Sequence, residues 1–138
     1  MNKTRILLID DEASFTRLLK MNLELTGKFE VKEENWGPRG LAVARDFKPD
    51  LIFLDVMMPG MDGGDLAARM QEVSSLKHVP IVFLTAAVKQ KEIDKQGGMI
   101  GGFQYLAKPV DVDVILQCIE DNLARARKQQ PKEGGPAQ

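Results

Sequence analysis

The chain has 138 residues, of which 43% are hydrophobic and 28% charged, and its formal net charge is −1. This length favours a single domain with a buried core, and the balanced charge does not indicate a direct nucleic-acid partner or an anionic membrane surface. Cys118 is the only cysteine, which excludes an internal disulfide, and the amino terminus lacks an apolar segment long enough for a signal peptide or a spanning helix. We therefore expect a soluble, cytoplasmic protein with no membrane insertion.

Short apolar runs alternate with segments of helical periodicity along the chain. The runs predict five strands, at 5–9, 29–33, 51–54, 81–84 and 103–106. The periodic segments predict five helices, over about 15–25, 38–47, 65–73, 89–96 and from 112 onward. The third and fourth strands are apolar throughout, which is typical of strands buried on both faces of a sheet.

Alternating strands and helices predict an α/β fold in which helices cover both faces of a parallel sheet. Right-handed crossovers favour a three-layer, doubly wound (βα)5 arrangement of the flavodoxin-like type, with strand order 2-1-3-4-5. We expect residues 1–127 to form this domain. Residues 128–138, rich in Gln, Pro, Lys and Gly, are expected to be a disordered tail.

Polar side chains follow four of the five predicted strands. Asp10 and Asp11 follow the first strand, Asp55 the third, Thr85 the fourth, and Lys108 comes just after the fifth. Taken singly, an Asp in such a place is usually a helix cap. Because the carboxyl ends of parallel strands share one edge, and a crevice opens between strands 1 and 3, the five groups together predict a site.

The expected chemistry of this site follows from its charges. Three neighbouring carboxylates raise one another's pKa unless a cation lies among them. Mg²⁺ suits carboxylate and water ligands and prefers a site that a phosphate oxygen completes. Asp55 is then a candidate nucleophile that forms an acyl phosphate. Thr85 could hold a phosphoryl oxygen by a hydrogen bond, and Lys108 could hold another by charge.

With these residues in place, the sequence resembles the receiver domain of two-component response regulators, over about residues 3–127, and in particular the stand-alone, chemotaxis-regulator-like type. The matching motifs are Ile9-Asp10-Asp11, Asp55-x-x-Met58-Pro59-x-x-Asp62-Gly63, Thr85-Ala86 and Tyr105-Leu106-x-Lys108-Pro109. This resemblance implies a phospho-accepting signalling domain that promotes its own phosphorylation and dephosphorylation, not an enzyme in the usual sense.

The resemblance also implies the ligands and the phosphodonor. Asp55 would accept a phosphoryl group from a histidine kinase or a histidine phosphotransferase. Mg²⁺ would be bound by Asp11, Asp55 and the backbone carbonyl of Met57, with Asp10 assisting through water. The peptide bond between Lys108 and Pro109 is commonly cis in this family.

Thr85 and Tyr105 would form the switch pair that the resemblance implies. Phosphorylation would draw Thr85 toward the phosphoryl group and turn Tyr105 inward. The surface of the fourth helix, fifth strand and fifth helix would then bind a downstream protein or, in a phosphorylation-dependent homodimer, a second copy of the chain.

Three stretches depart from the family pattern. Gly97-Gly98 and Gly101-Gly102 predict a short or loosened fourth helix, because glycine inside a helix is unfavourable. Trp36 is expected either to pack as a lid on the second helix or to contact a partner. Glu34 stands where an apolar residue is usual, so the second strand is expected to end early.

Other functions remain as alternatives. The chain could be a receiver fragment of a larger regulator or hybrid kinase. An Asp-nucleophile phosphohydrolase of the haloacid-dehalogenase type is more remote, because it needs a second Asp where Met57 stands. A flavodoxin-like electron carrier is disfavoured because Asp10, Asp11 and Glu12 would repel a flavin phosphate.

Overall fold

The structure is a computed structural model and describes residues 3–129. Five numbered strands and five helices alternate along the chain. They are β1 (Thr4–Ile9), α1 (Ala13–Leu25), β2 (Phe29–Glu34), α2 (Gly40–Phe47), β3 (Leu51–Leu54), α3 (Gly63–Gln71), β4 (Ile81–Thr85), α4 (Gln90–Lys95), β5 (Phe103–Ala107) and α5 (Val112–Gln129). None of the described helices is long and apolar enough to cross a membrane.

The five numbered strands form one parallel sheet in the order β2-β1-β3-β4-β5. The predicted fold class and strand order are therefore confirmed. A two-residue strand, Met99–Ile100, adds an antiparallel edge beyond β5. A separate small hairpin pairs Met57–Met58 with Met61–Asp62, directly after β3. The pairing of Ile9 with Leu54 brings the carboxyl ends of β1 and β3 side by side.

Side chains of the central strands alternate between two apolar clusters, one on each face of the sheet. On one face, Leu8 and Phe53 pack in a cluster with Leu23 of α1 and Ile119 of α5. On the other face, a second cluster joins the strands to helices α2 and α3. Because both faces are covered, β1 and β3 are buried where they pair, which explains their uninterrupted apolar sequences.

Strand β2 continues through Glu34, so the expectation of an early end is wrong. The Glu34 side chain is buried although it is charged. Its carboxylate accepts a hydrogen bond from the backbone N–H of Trp36 at 2.9 Å and pairs with Arg39 at 3.2 Å. These partners compensate for the loss of water around the carboxylate.

Helix α5 extends to Gln129, two residues beyond the expected end of the domain at 127. The tail expected from Lys128 is therefore helical at its first two positions. The remainder of that tail, residues 130–138, lies outside the described residues.

The segment between α4 and β5 is the main departure from the simple alternation of five strands with five helices. Helix α4 has six residues, and Ile93 alone among them is buried. Four glycines with positive φ follow, and Gly101 and Gly102 connect Met99–Ile100 to β5 with φ of 60° and 87°. Positive φ at both central residues is what a type I′ hairpin turn requires. The expectation of a short fourth helix is confirmed.

We expect the backbone amides of α4 to exchange with solvent faster than those of α3 and α5, because α4 buries little apolar surface. Hydrogen exchange followed by NMR or mass spectrometry measures this. Helix α2 is a suitable control, since it is also short but buries Gly40, Ala44 and Phe47. Exchange in α4 as slow as in α3 and α5 would contradict the expectation.

Candidate functional site

Three carboxylates meet where β1 and β3 end. Asp55 continues the pairing of the two strands, since its backbone N–H donates to the carbonyl of Ile9 at 2.9 Å. One carboxylate oxygen from each of Asp10, Asp11 and Asp55 lies within 4.8 Å of the others. Asp10 and Asp55 are buried and Asp11 is exposed, so the cluster forms a cup that opens to solvent. The predicted convergence of the three acids is confirmed.

Lys108 reaches this cluster from the segment after β5. Its Nζ lies 2.5 Å from Oδ2 of Asp10, 2.8 Å from Oε1 of Glu12 and 3.8 Å from Oδ2 of Asp55. Burial alone would lower the pKa of Lys108, but the hydrogen bonds to Asp10 and Glu12 outweigh burial and the pKa is raised. The side chain is therefore a fixed cation. The Lys108–Pro109 peptide bond is cis.

Sequence analysis did not assign Glu12 or Phe15 to this site. Glu12 is the second carboxylate partner of Lys108, and the Lys108 ammonium also lies 4.5 Å from the centroid of the Phe15 ring. The run of three acids after β1 was the available signal for Glu12. No local pattern marks Phe15, because its role arises from the distant approach of Lys108.

The pKa of Asp55 is raised from 3.8 to about 6. Burial is the largest cause, and the nearby charge of Asp10 adds to it. Lys108 and backbone N–H groups of Met57 and Val56 act in the opposite direction without cancelling the effect. Burial also raises the pKa of Asp10. The cluster thus carries unfavourable negative charge, and a hard cation bound by carboxylate oxygens would relieve it.

Thr85 and Tyr105 lie on adjacent strands at the same end of the sheet. The buried Thr85 hydroxyl accepts a hydrogen bond from the backbone N–H of Ala87 at 3.0 Å. The Tyr105 ring stacks on Phe83 with centroids 4.8 Å apart, and Phe83 meets Phe103 edge to face at 5.3 Å. Burial, followed by the charge of Asp62, raises the pKa of Tyr105. The two residues are placed as predicted, whereas their role as a switch stays a prediction.

The hairpin after β3 forms one rim of the cup. Its last residue, Asp62, caps α3 by accepting hydrogen bonds from the backbone N–H groups of Gly64 and Asp65 at 2.7 and 3.2 Å. A side chain at Gly63 would collide with the backbone oxygen of Asp55, so glycine is required there. Met57 begins the hairpin with its side chain exposed. The assignment of its carbonyl as a metal ligand stays a prediction.

The loop between β2 and α2 packs against this hairpin and against the segment after β1. Asn35 donates through Nδ2 to the backbone oxygen of Asp10 at 2.7 Å. Trp36 lies against Gly60 of the hairpin, where an added Cβ would be 2.8 Å from Cη2 of the indole. The indole, which was expected to cover α2 or to face a partner, thus contacts the rim of the cup.

Cys118 lies away from the cup, within α5. Burial first, and then the charge of Asp121, raises the pKa of the Cys118 thiol to about 11. The buried thiol is therefore an inert part of the core.

A family model described as "Response regulator receiver domain" matches residues 6–120. Protein PilH of Pseudomonas aeruginosa is 36% identical over 121 residues, which cover 87% of this chain and 98% of PilH. The DNA-binding dual master transcriptional regulator RpaA of Synechocystis is 36% identical over 121 residues, 88% of this chain and 49% of RpaA. Response regulator PleD of Caulobacter vibrioides is 38% identical over 126 residues, 26% of PleD. The chain thus spans about half of RpaA and about a quarter of PleD.

Solved structures show the same fold. A CheY-like response regulator receiver domain protein from Methanospirillum hungatei matches with a TM-score of 0.78 at 23% identity, over 94% of this chain and 100% of that one. Chemotaxis response regulator CheY4 of Vibrio cholerae matches with a TM-score of 0.74 at 28% identity, over 88% of this chain and 100% of CheY4. The chain belongs to the response regulator receiver domain family of two-component signalling.

Proposed function

We propose that Asp55 accepts a phosphoryl group from a phosphohistidine of a histidine kinase or histidine phosphotransferase, in a reaction that requires Mg²⁺. The modification then changes how a downstream protein binds to α4, β5 and α5, which together are called the output surface below. The observation that carries this proposal is the placement of Asp55, a buried carboxylate at the mouth of a three-acid cup, 3.8 Å from the Lys108 ammonium.

The transfer replaces one bond to phosphorus with another. A carboxylate oxygen of Asp55 attacks phosphorus, the P–N bond breaks, and its electron pair returns to the imidazole of the donor. Asp10, Asp11 and Asp55 would hold Mg²⁺, which supplies charge neutralisation for the carboxylates and the phosphoryl oxygens. Lys108 would hold a further phosphoryl oxygen by charge, and the Thr85 hydroxyl would hold another by a hydrogen bond.

Helix α1 offers a docking surface for the phosphodonor. It begins at Ala13, directly after the acidic loop, and leads away from the cup. Leu18, Met21 and Leu25 are 61%, 57% and 81% exposed, and their spacing places them on one face of the helix. Such an exposed apolar stripe beside the site supports packing against a helix of the donor, which would bring its phosphohistidine to Asp55.

Backbone contacts link the cup to the output surface. The backbone N–H of Lys108 donates to the carbonyl of Thr85 at 2.8 Å, and that of Ala107 donates to Oε1 of Gln90 at 3.1 Å. Gln90 is the first residue of α4. If the Thr85 side chain turned to donate its hydroxyl to the phosphoryl group, the hydrogen bond from the Ala87 N–H would be lost, and the segment that leads into α4 would be released. This supports a change in α4 on phosphorylation.

Two other forms of the proposal differ in the partner or the reaction. The matched regions of RpaA and PleD are parts of longer chains, so the output surface could act on a domain of the same polypeptide. A phosphohydrolase of the haloacid-dehalogenase type fits less well, because the residue two positions after Asp55 is Met57, which cannot serve as a general acid.

Phosphorylation can be tested with acetyl phosphate or beryllium fluoride in the presence of Mg²⁺. We expect amide resonances of the cup and of the output surface to shift in the wild type and to stay unchanged in Asp55→Asn, which lacks the nucleophile. Two-dimensional NMR measures the shifts, and fluorescence of Trp36, the single tryptophan, gives a second signal. A wild type that does not respond would refute the proposed function.

Self-dephosphorylation is expected to be slow. The side chains two positions after Asp55 and Thr85 are Met57 and Ala87, and neither can hydrogen-bond an attacking water. Replacing Met57 with Asn or Glu should shorten the phosphoryl lifetime, by up to about 10²-fold if the new group acts as a general base. The decay of phosphorylated protein on Phos-tag gels checks this. An unchanged lifetime in both variants would contradict the prediction.

Stability without metal should fall as pH rises, because of Asp55. Its pKa is about 6 in the folded protein against an ordinary 3.8. Between these values the folded state binds more protons than the unfolded state, so the free energy of unfolding decreases with rising pH. In EDTA, Asp55→Asn should therefore lose less stability than the wild type between about pH 4 and about pH 7.

Thermal or urea unfolding across this pH range measures the difference between the two proteins. Added Mg²⁺ should recover more stability in the wild type than in Asp55→Asn at neutral pH, since a ligand of the folded state stabilises it. Parallel pH profiles for the two proteins would show that Asp55 does not carry this unfavourable charge.

A further inference from the structure

The short segment Asn35-Trp36 touches both loops that carry groups of the cup. On one side, Asn35 donates to the backbone oxygen of Asp10 at 2.7 Å and to Oγ1 of Thr16 at 3.0 Å. On the other side, the six-membered ring of Trp36 lies against Gly60 of the hairpin that follows Asp55. The segment therefore spans the cup from the β1 side to the β3 side.

The packing between this segment and the hairpin is close and depends on two glycines. A Cβ at Gly60 would lie 2.8 Å from Cη2 and 3.3 Å from Cζ2 of Trp36, and the φ of +78° also favours glycine. A Cβ at Gly37 would lie 2.8 Å from Cβ of Met61. The hairpin thus has Gly60 where Trp36 approaches it, and the loop has Gly37 where Met61 approaches it. Direct contact therefore fixes the distance between the loop and the hairpin.

The backbone of Trp36 is fixed by a hydrogen bond, whereas its side chain is only partly buried. Its backbone N–H donates to the buried Glu34 carboxylate at 2.9 Å, and Arg39 pairs with the same carboxylate at 3.2 Å. The indole itself remains 44% exposed. The indole belongs to neither core cluster, and it contacts Gly60 of the hairpin.

We propose that Trp36 is a positioning residue that sets the distance between the hairpin and the Asp10 side of the cup, and thereby favours Mg²⁺ over the larger Ca²⁺. Mg²⁺ requires nearly ideal octahedral geometry at about 2.0–2.1 Å, whereas Ca²⁺ accepts irregular geometry at about 2.3–2.6 Å. Loss of the indole loosens the hairpin and costs Mg²⁺ more affinity than Ca²⁺. This inference rests on the proposed binding of Mg²⁺ at the cup.

The test is to titrate the intact chain with MgCl₂ and, separately, with CaCl₂. Binding of each ion is monitored through the amide resonances of residues 56–63 in NMR spectra. Trp36→Ala should weaken Mg²⁺ binding by about tenfold, the lower end of the effect of residues that support metal ligands, and Ca²⁺ binding by less than about twofold. Met99→Ala is a matched control, since Met99 is 46% exposed and lies in the segment before β5. It should leave both affinities unchanged.

The outcomes separate this inference from the proposed function. A wild type that binds neither ion refutes the metal site itself. If the wild type binds Mg²⁺ but Trp36→Ala keeps the wild-type ratio of Mg²⁺ to Ca²⁺ affinity, the proposed role of Trp36 is overturned. An equal loss of both affinities is such a result, because it leaves the ratio unchanged. Thermal unfolding checks that the variant folds. If it does not, Trp36→Phe, whose ring is too short to reach Gly60, provides the same comparison.

Discussion

Repulsion among the carboxylates at the end of β1 and β3 is the constraint on which the rest of the site depends. The parallel pairing of these strands places Asp55 beside Asp10, and their burial removes the water that would otherwise screen them. Among the described residues, the ammonium of Lys108 is the one cation in ion-pair contact with this cluster. One cation does not balance three acids, and burial, followed by the charge of Asp10, raises the pKa of Asp55. A further cation bound by these carboxylates would reduce the repulsion, which is the basis of the proposed Mg²⁺ site.

Lys108 connects this charge balance to the other half of the sheet. Its ammonium holds the acids after β1, while its backbone belongs to the segment that leaves β5. A phosphoryl group on Asp55 would compete with Asp10 and Glu12 for the ammonium. The backbone N–H of the neighbouring Ala107 donates to the side chain of Gln90, the first residue of α4, so a shift of the Lys108 backbone would be felt at this contact. In the proposed function, the route from the acids to α4 therefore runs through Lys108 and its neighbour Ala107.

The features that depend on short stretches of sequence could be predicted from the sequence. The apolar strands and the acids, hydroxyl and lysine that follow them were predictable, because burial on both faces and parallel topology leave few other arrangements. The burial of Glu34, the Glu12 contact of Lys108 and the placement of Trp36 were not predictable. Each depends on a partner from a different loop or element: Arg39, Lys108 and Gly60 respectively. The glycine pairs predicted a short α4, but the hairpin they form could not be inferred without the positive φ angles.

The glycine hairpin gives β5 an antiparallel neighbour at the edge of the sheet. In this protein the backbone N–H of Tyr105 donates to the carbonyl of Gly98 at 3.0 Å, so β5 is bonded on its outer side to the segment that ends α4. A rotation of the Tyr105 ring alone would leave this bond intact, whereas a shift of the β5 backbone would move the hairpin as well. An added Cβ at Gly97, Gly98, Gly101 or Gly102 would meet no heavy atom within 4 Å, so these glycines face open space. The glycine-rich departure from the family pattern therefore adjoins α4 and β5, two of the elements of the proposed output surface.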